Sequence, residues 1–280
     1  MNPALVLGLS EVDYHAHPAL SSTGLRRLLP PSCPARFRWW ADNLAPAKAE
    51  FDHGHAAHTR VLGVGDPVVV VRDAAGDPYT DWRKPAARAA ADEVRAAGGV
   101  PLLAKDAARV DAIAAAVEVS ACGPLLVACR DGGWVEVSAF WTDGPSGVDC
   151  RARWDGAYLT VGGRLVIVDL KTSTSAHPAT FARKSVAAYG YHIQQAHYVD
   201  AAEALGHPDP LFVFCVVEKD PPYVASPIVL DPADADLGAR LAARAREIYR
   251  DCEAAGVWPG YTTDLTRAAM PAWTHYDTED

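Results

Sequence analysis

Residues 165–174 read LVIVDLKTST, an apolar run that ends with a carboxylate and an amine two positions apart, Asp169 and Lys171. A strand alternates its faces with a period of two, so Asp169 and Lys171 share one face while Leu170 points to the other. Burying both charges costs several kcal/mol unless they find partners or a metal ion. A salt bridge at a strand end would meet that need, and so would a cation site completed by further ligands. Asp155 offers a second carboxylate fourteen residues earlier, across a turn signalled by Gly162 and Gly163. If Asp155 closes its strand, a hairpin there can set both acids at one sheet edge. Two hard oxygen ligands beside a lysine suit magnesium-dependent phosphodiester hydrolysis. The carboxylates hold one or two hard cations that polarise the phosphoryl oxygen and activate water. The lysine orients that water or stabilises developing negative charge. The same Asp155 begins an Asp-Gly pair, which is also a turn signal.

The surrounding pattern supplies elements to hold these groups. Ser21 or Ser22 caps a helix carrying Leu25, Leu28 and Leu29, which Pro30 and Pro31 stop; a second helix runs from Pro34 to Asp42. The stretch around GHAAH (54–58) is helical, with His55, His58 and Leu62 on related faces. A strand and loop occupy 64–82, and an Ala-rich helical stretch, 84–121, is interrupted near 98–103. Strands follow at 133–143, 147–160 and 164–173, then a helix over 178–205, a strand at 210–220 and a helix at 232–255. In the first of these strands Val135, Val137 and Ala139 alternate with Glu136, Ser138 and Phe140. The order predicts one α/β (α+β) domain over 1–280: a helical N-terminal region to about 125, then a catalytic sheet with helices over about 126–260.

Half of the 280 residues are hydrophobic, 22% are charged and the net charge is −9. That balance excludes a general nucleic-acid coat protein, but not an enzyme whose acidic site binds metal and whose basic residues are localised. Such clusters exist at Arg26, Arg27, Arg36 and Arg38, and at Arg151 and Arg153. The six cysteines are scattered without a CxxC pair, so neither a zinc site nor an iron–sulfur cluster is expected, and reduced thiols in the cytoplasm are the default. No apolar run is long enough for a membrane helix, and the first residues lack the pattern of a signal peptide.

The motifs WD and DLKTS, with Asp155 as first acid and Asp169-Leu170-Lys171 as triplet, resemble motifs II and III of the PD-(D/E)XK nuclease superfamily. The resemblance extends to RecE-like (exonuclease VIII type) exonucleases through YHAHPALSSTGLRRLLPPSCPARFRW, GHAAH, VEVSAFW with CRARWD, YGYHIQQAHYVDA and VFCVVEKDPPYVA, in family order from about 14 to 225. It implies a central mixed sheet flanked by helices, with helical N-terminal additions. It also implies a magnesium-dependent 5′→3′ exodeoxyribonuclease on linear duplex DNA, with manganese as a substitute. Such enzymes leave 3′ single-stranded overhangs for phage-type recombination, work beside a single-strand annealing protein and form rings of identical subunits, with no membrane attachment. The triplet opens with Asp169 where the superfamily more often has Glu, which shortens the arm that reaches the metal.

Carried over residue by residue, the resemblance makes His58, Asp155, Asp169 and the Leu170 carbonyl metal ligands. Lys171, Gln194 and Tyr198 join Asp155 and Asp169 as catalytic residues. Arg153, Gln194 and Tyr198 are expected at the DNA, and Glu136 as a support or second-metal residue. His55 reads as an ordinary surface or packing residue. Trp39 and Trp40 either stack on a base or pack in the core. An endonuclease on the same core and a non-catalytic DNA-binding recombinase partner fit the same motifs; closed circular DNA and metal-dependent digestion separate the three.

Overall fold

The computed structural model describes residues 2–43, 52–262 and 264–271. In chain order the elements are β1 (Ala4–Val6), α1 (Glu11–Ala16), α2 (Ser22–Leu28), α3 (Pro34–Asp42), α4 (Asp52–Leu62), β2 (Val68–Val70), α5 (Pro85–Ala96) and β3 (Val100–Leu102). They continue with α6 (Ala104–Glu118), α7 (Gly123–Gly132), β4 (Trp134–Thr142), β5 (Asp149–Leu159) and β6 (Leu165–Ser173). Then come α8 (Pro178–Phe181), a π-helical turn over 182–186, α9 (Ala187–Tyr189), α10 (Tyr191–Ala204), β7 (Leu211–Glu218), β8 (Ala225–Ile228) and α11 (Pro232–Ala255).

Six of the described strands form one sheet in the order β1-β4-β5-β6-β7-β8. All its pairs are antiparallel except β6 with β7, whose parallel register sets Asp169 beside Phe214 and Lys171 beside Val216. A parallel pair needs a crossover, and α8 to α10 provide it. The central strand β6 is apolar on both faces because both are covered. Leu165 and Ile167 join the core shared with α2, α3, α10 and α11. Val166, Val168 and Leu170 join the core under α4, α6 and α7. The mixed sheet between helical layers is the expected architecture.

Local chemistry explains the helix ends. Ser21 accepts the Gly24 amide at 3.2 Å and so caps α2, and Pro34 opens α3 at a position where a missing N–H costs nothing. Asp231 accepts the Ala233 amide at 2.9 Å to start α11, which ends on Gly256 in the left-handed conformation.

Three expectations need correction. The interruption at 98–103 is a strand: β3 pairs in parallel with β2, and Ala56, Val100, Leu102 and Val110 pack as a small core around them. A three-residue strand offers too short an alternation to be visible in an Ala-rich background. The helix over 178–205 is broken by a π-turn and again at Gly190, whose φ is +68°. The alternation in β4 fails at Glu136, which has φ +49°. Its left-handed backbone turns Val135 toward one core and leaves Val137, Ala139 and Trp141 in the other.

Candidate active site

The site forms where β5 and β6 part. They pair only from Gly156–Leu159 to Leu165–Val168; beyond this β5 stays with β4, and β6 with β7. The fork opens at Asp155 and Asp169. Asp155 therefore does not end its strand, as the hairpin reading had it, but sits within β5 at the point of separation. Parting strands strand a backbone donor, and an unpaired buried N–H costs about 1–3 kcal/mol. Asp155 Oδ2 takes it, accepting the Leu170 amide at 2.7 Å.

Asp169 is buried at the base of the fork, 1% exposed. Its Oδ1 accepts a hydrogen bond from Gln194 Nε2 at 2.8 Å, and its Oδ2 faces Lys171 Nζ in an ion pair. On β4, Glu136 falls between Val135, paired with Gly156, and Val137, paired with Trp154, which leaves it across from Asp155. From α4 the His58 Nδ1 lies 3.6 Å from Asp155 Oδ2. His58, Glu136 and Asp155 each present one ligand atom within 4.8 Å of the others. Asp169 reaches the same cluster through Lys171 and the Asp155 neighbourhood rather than as part of that triad.

These contacts set the protonation states. Burial, with Asp155 opposite, pushes Glu136 up to about 8. Burial lifts Asp169 to about 6, outweighing the pull of Lys171. Asp155 is also raised by burial, against the opposing effects of Lys171 and the Leu170 amide. His58 is pushed down to about 4 by burial and by Lys171, so its imidazole is neutral at pH 7. Burial works against the Lys171 charge, but Asp169 and Asp155 overcome it and hold its pKa above the ordinary value. Three crowded acids with one lysine lack positive charge, and a neutral imidazole adds a lone pair. That donor set fits a divalent cation with oxygen and imidazole ligands.

A cavity of about 510 Å³ opens at Glu136 and His58, walled by the N-terminal segment and α4 and lined also by Glu11, Tyr14, His55 and Arg153. Arg153 is committed to that wall. Its Nε donates to Ser138 Oγ at 3.0 Å, its Nη2 donates to the Leu9 carbonyl at 2.7 Å, and its guanidinium covers the Tyr14 ring at 4.4 Å. His55 lies 3.8 Å from Glu11 at the mouth. Tyr198 is buried, 6.1 Å from the Phe212 ring, and Gln194 is buried against Asp169, so neither reaches the open cavity. The Leu170 side chain is in the core under α4. Trp40 packs beneath Arg27 and against the core, whereas Trp39 is exposed.

One residue gains a role that spacing did not signal, and one changes place. Glu136, expected as a support or second-metal residue, stands with His58 and Asp155 as a ligand candidate, on a backbone with φ +49°. Tyr191 supports Lys171 Nζ at 4.9 Å from its ring centre; it lies inside the YGYHIQQAHYVDA motif, but only the fold brings it beneath the lysine.

A family model described as "PDDEXK-like domain of unknown function (DUF3799)" matches residues 100–268. The chain belongs to this PDDEXK-like family. The matched span contains the fork, the D-L-K triplet and the crossover helices; His58 and the N-terminal wall lie before it. The fold is similar to that in a crystal structure named as a "Putative exonuclease" from Eubacterium rectale. The two are 12% identical, with a TM-score of 0.60 over 98% of this chain and 100% of that one. No curated protein matches the chain. Family and fold support a nuclease of the PD-(D/E)XK superfamily and do not single out the RecE branch.

Proposed function

We propose that this protein is a divalent-metal-dependent exodeoxyribonuclease that digests linear duplex DNA from its ends. The observation that carries the proposal is the fork, which gathers Asp155, Glu136 and His58 beside a cavity that Glu136 and His58 line, with the Asp169–Lys171 ion pair buried at the base of the fork. His58, Glu136, Asp155 and Asp169 would hold the cation, with the Leu170 carbonyl as a further donor. The bound cation would polarise a phosphoryl oxygen and lower the pKa of the attacking water.

The chain's own groups do the rest. Gln194 fixes the Asp169 carboxylate through the 2.8 Å hydrogen bond. Lys171, kept charged by the two acids and lying over Tyr191, stands ready to orient water or take up the charge that develops on phosphate. The wall made by Tyr14 and Arg153 limits access to the acids from one side. Magnesium as the working ion, 5′→3′ polarity, 3′ overhangs for recombination, an annealing-protein partner, a ring of identical subunits and a cytoplasmic setting are proposed on the RecE resemblance.

The test is digestion of linear duplex labelled at the 5′ or the 3′ end, with magnesium and with chelator, beside covalently closed circular DNA. Early release of the 5′ label with the circle spared is expected, and Lys171→Ala should abolish it. Cutting of the circle would make the protein an endonuclease on the same core. Digestion that survives chelation would remove the metal from the proposal.

A further inference from the structure

A row of rings leads from Lys171 to the surface. Lys171 Nζ lies over Tyr191, and Tyr191 is wedged against Phe181 and Phe214, each at 6.1 Å. The next ring, Tyr189, follows at 5.6 Å with its plane inclined by 40°. Unlike Tyr191 it is exposed, at 59%. Core packing accounts for Tyr191 but not for an exposed ring stacked beside it.

The backbone there is built to keep Tyr189 in place. Gly190 separates α9 from α10 at φ +68°, and a Cβ at that position would come within 2.9 Å of Arg26 Cδ. Arg26 fills the space that the glycine leaves. It donates from Nη1 to the Tyr189 carbonyl at 2.6 Å, from Nη2 to Thr23 Oγ1 at 2.9 Å and from Nε to the Ser22 carbonyl at 3.3 Å. All three acceptors are neutral, and among the described residues no carboxylate pairs with Arg26. A guanidinium has five N–H donors in a fork that matches phosphate geometry, so this half-buried cation keeps donors for an anion. Arg183 and Lys184, on the same helical run as Tyr189, are also exposed.

We propose that Arg26 and Tyr189 form a nucleotide subsite on the Lys171 side of the acid cluster, where Arg26 takes a backbone phosphate and Tyr189 stacks on an unpaired base beside the bond to be cut. The subsite rests on the nuclease function proposed above and adds to it that the strand enters melted. Stacking on a tyrosine tolerates any base, as an enzyme that digests DNA regardless of sequence requires.

Oligonucleotides carrying 2-aminopurine at one end or the other test this, bound in calcium instead of magnesium so that the strand stays intact. Wild-type protein and Tyr189→Phe should quench the probe at one end. Tyr189→Ala should not, and should bind about tenfold more weakly. Arg26→Gln should weaken binding and flatten its salt dependence by about one phosphate contact. Thermal melts confirm that the variants are folded, which substitution of an exposed ring should allow. Quenching by Tyr189→Ala equal to wild type would overturn the subsite while leaving the nuclease function standing. If wild-type protein binds neither single-stranded nor duplex DNA, the nuclease function fails and the subsite with it.

Discussion

Asp155 and Leu170 are joined by a 2.7 Å hydrogen bond from the Leu170 amide to Asp155 Oδ2, so the acid at the mouth of the fork also satisfies a donor that the fork leaves unpaired. The two roles separate by substitution. Asp155→Asn keeps an acceptor oxygen but loses the charge; Asp155→Ala loses both. Nuclease activity should fall to background in each. In metal-free melts Asp155→Ala should be less stable than Asp155→Asn by about 1–3 kcal/mol, the cost of a buried N–H without a partner. Equal melting of the two variants would show that water or another group takes the amide.

Gln194 is placed to act through Asp169, since its amide holds one carboxylate oxygen and lies buried away from the cavity. Removing a group that orients a metal ligand typically costs about 10- to 100-fold in metal affinity. Gln194→Ala should therefore shift the magnesium titration of activity to higher concentration, with much of the maximal rate recovered at saturation. Direct contact with the DNA predicts the opposite: an unchanged titration and a raised KM for DNA. Calorimetric titration of the ion measures the first effect without turnover.

The raised acids make stability and metal binding depend on pH in linked ways. Glu136 titrates at about 8 in the folded chain against an ordinary 4.5. Between these values the folded state holds a proton that the unfolded state has lost, so stability falls as pH rises and levels off above about 8. Asp169, at about 6, adds to the fall at lower pH. Buried His197, pushed down to about 3, works the other way: its contribution is lost as pH drops below about 6.5. The window from pH 6.5 to 8 lies above the Asp169 and His197 changes and within the Glu136 one. Metal-free melting temperature should decline across it for the wild type and stay level for Glu136→Gln. Saturating magnesium should stabilise the protein more at pH 8 than at 6.5, because fewer protons have to be displaced. A flat metal-free wild-type profile would mean that Glu136 is ionised throughout.

Much of this architecture was legible in the sequence because it rests on local rules. Ser21 and the Pro34 start mark helices by capping chemistry, and the apolar run of β6 marks a strand covered on both faces. Asp155, Asp169 and Lys171 stood out through the family resemblance, since two acids at that spacing and a D-x-K run serve equally as turn residues and strand-end salt bridges. What was hidden depends on geometry with no local signature. Glu136 was expected as a support or second-metal residue, but its place beside His58 and Asp155 comes with a left-handed backbone inside a strand that otherwise alternates, a conformation that non-glycine residues seldom adopt. Arg153 follows Asp155 in face, as the alternation said, yet its donors are claimed by Ser138 and the Leu9 carbonyl, which no spacing reveals. Tyr198 shares the motif of Gln194, but on α10 it packs against Phe212 of β7 and is buried.

Gly156, next to Asp155, tests how far packing outside the acids controls them. A Cβ at this position would lie 2.7 Å from Cys129 Sγ and 3.0 Å from Cys129 Cβ, because α7 presses against β5 just where the fork opens. Relief of that clash requires α7 to retreat or β5 to shift, and β5 carries Asp155. Overpacking of this kind costs about 1–3 kcal/mol. Gly156→Ala should accordingly lower the denaturant midpoint and reduce activity, although every ligand side chain is intact. Adding Cys129→Ala removes the sulfur and leaves only the 3.0 Å contact, so the double variant should regain part of both losses. Recovery of stability without activity would place the damage in the strand itself, since the acid would then be displaced after the helix had been accommodated. An unaltered midpoint in Gly156→Ala would show that α7 yields freely and that the fork does not depend on its pressure.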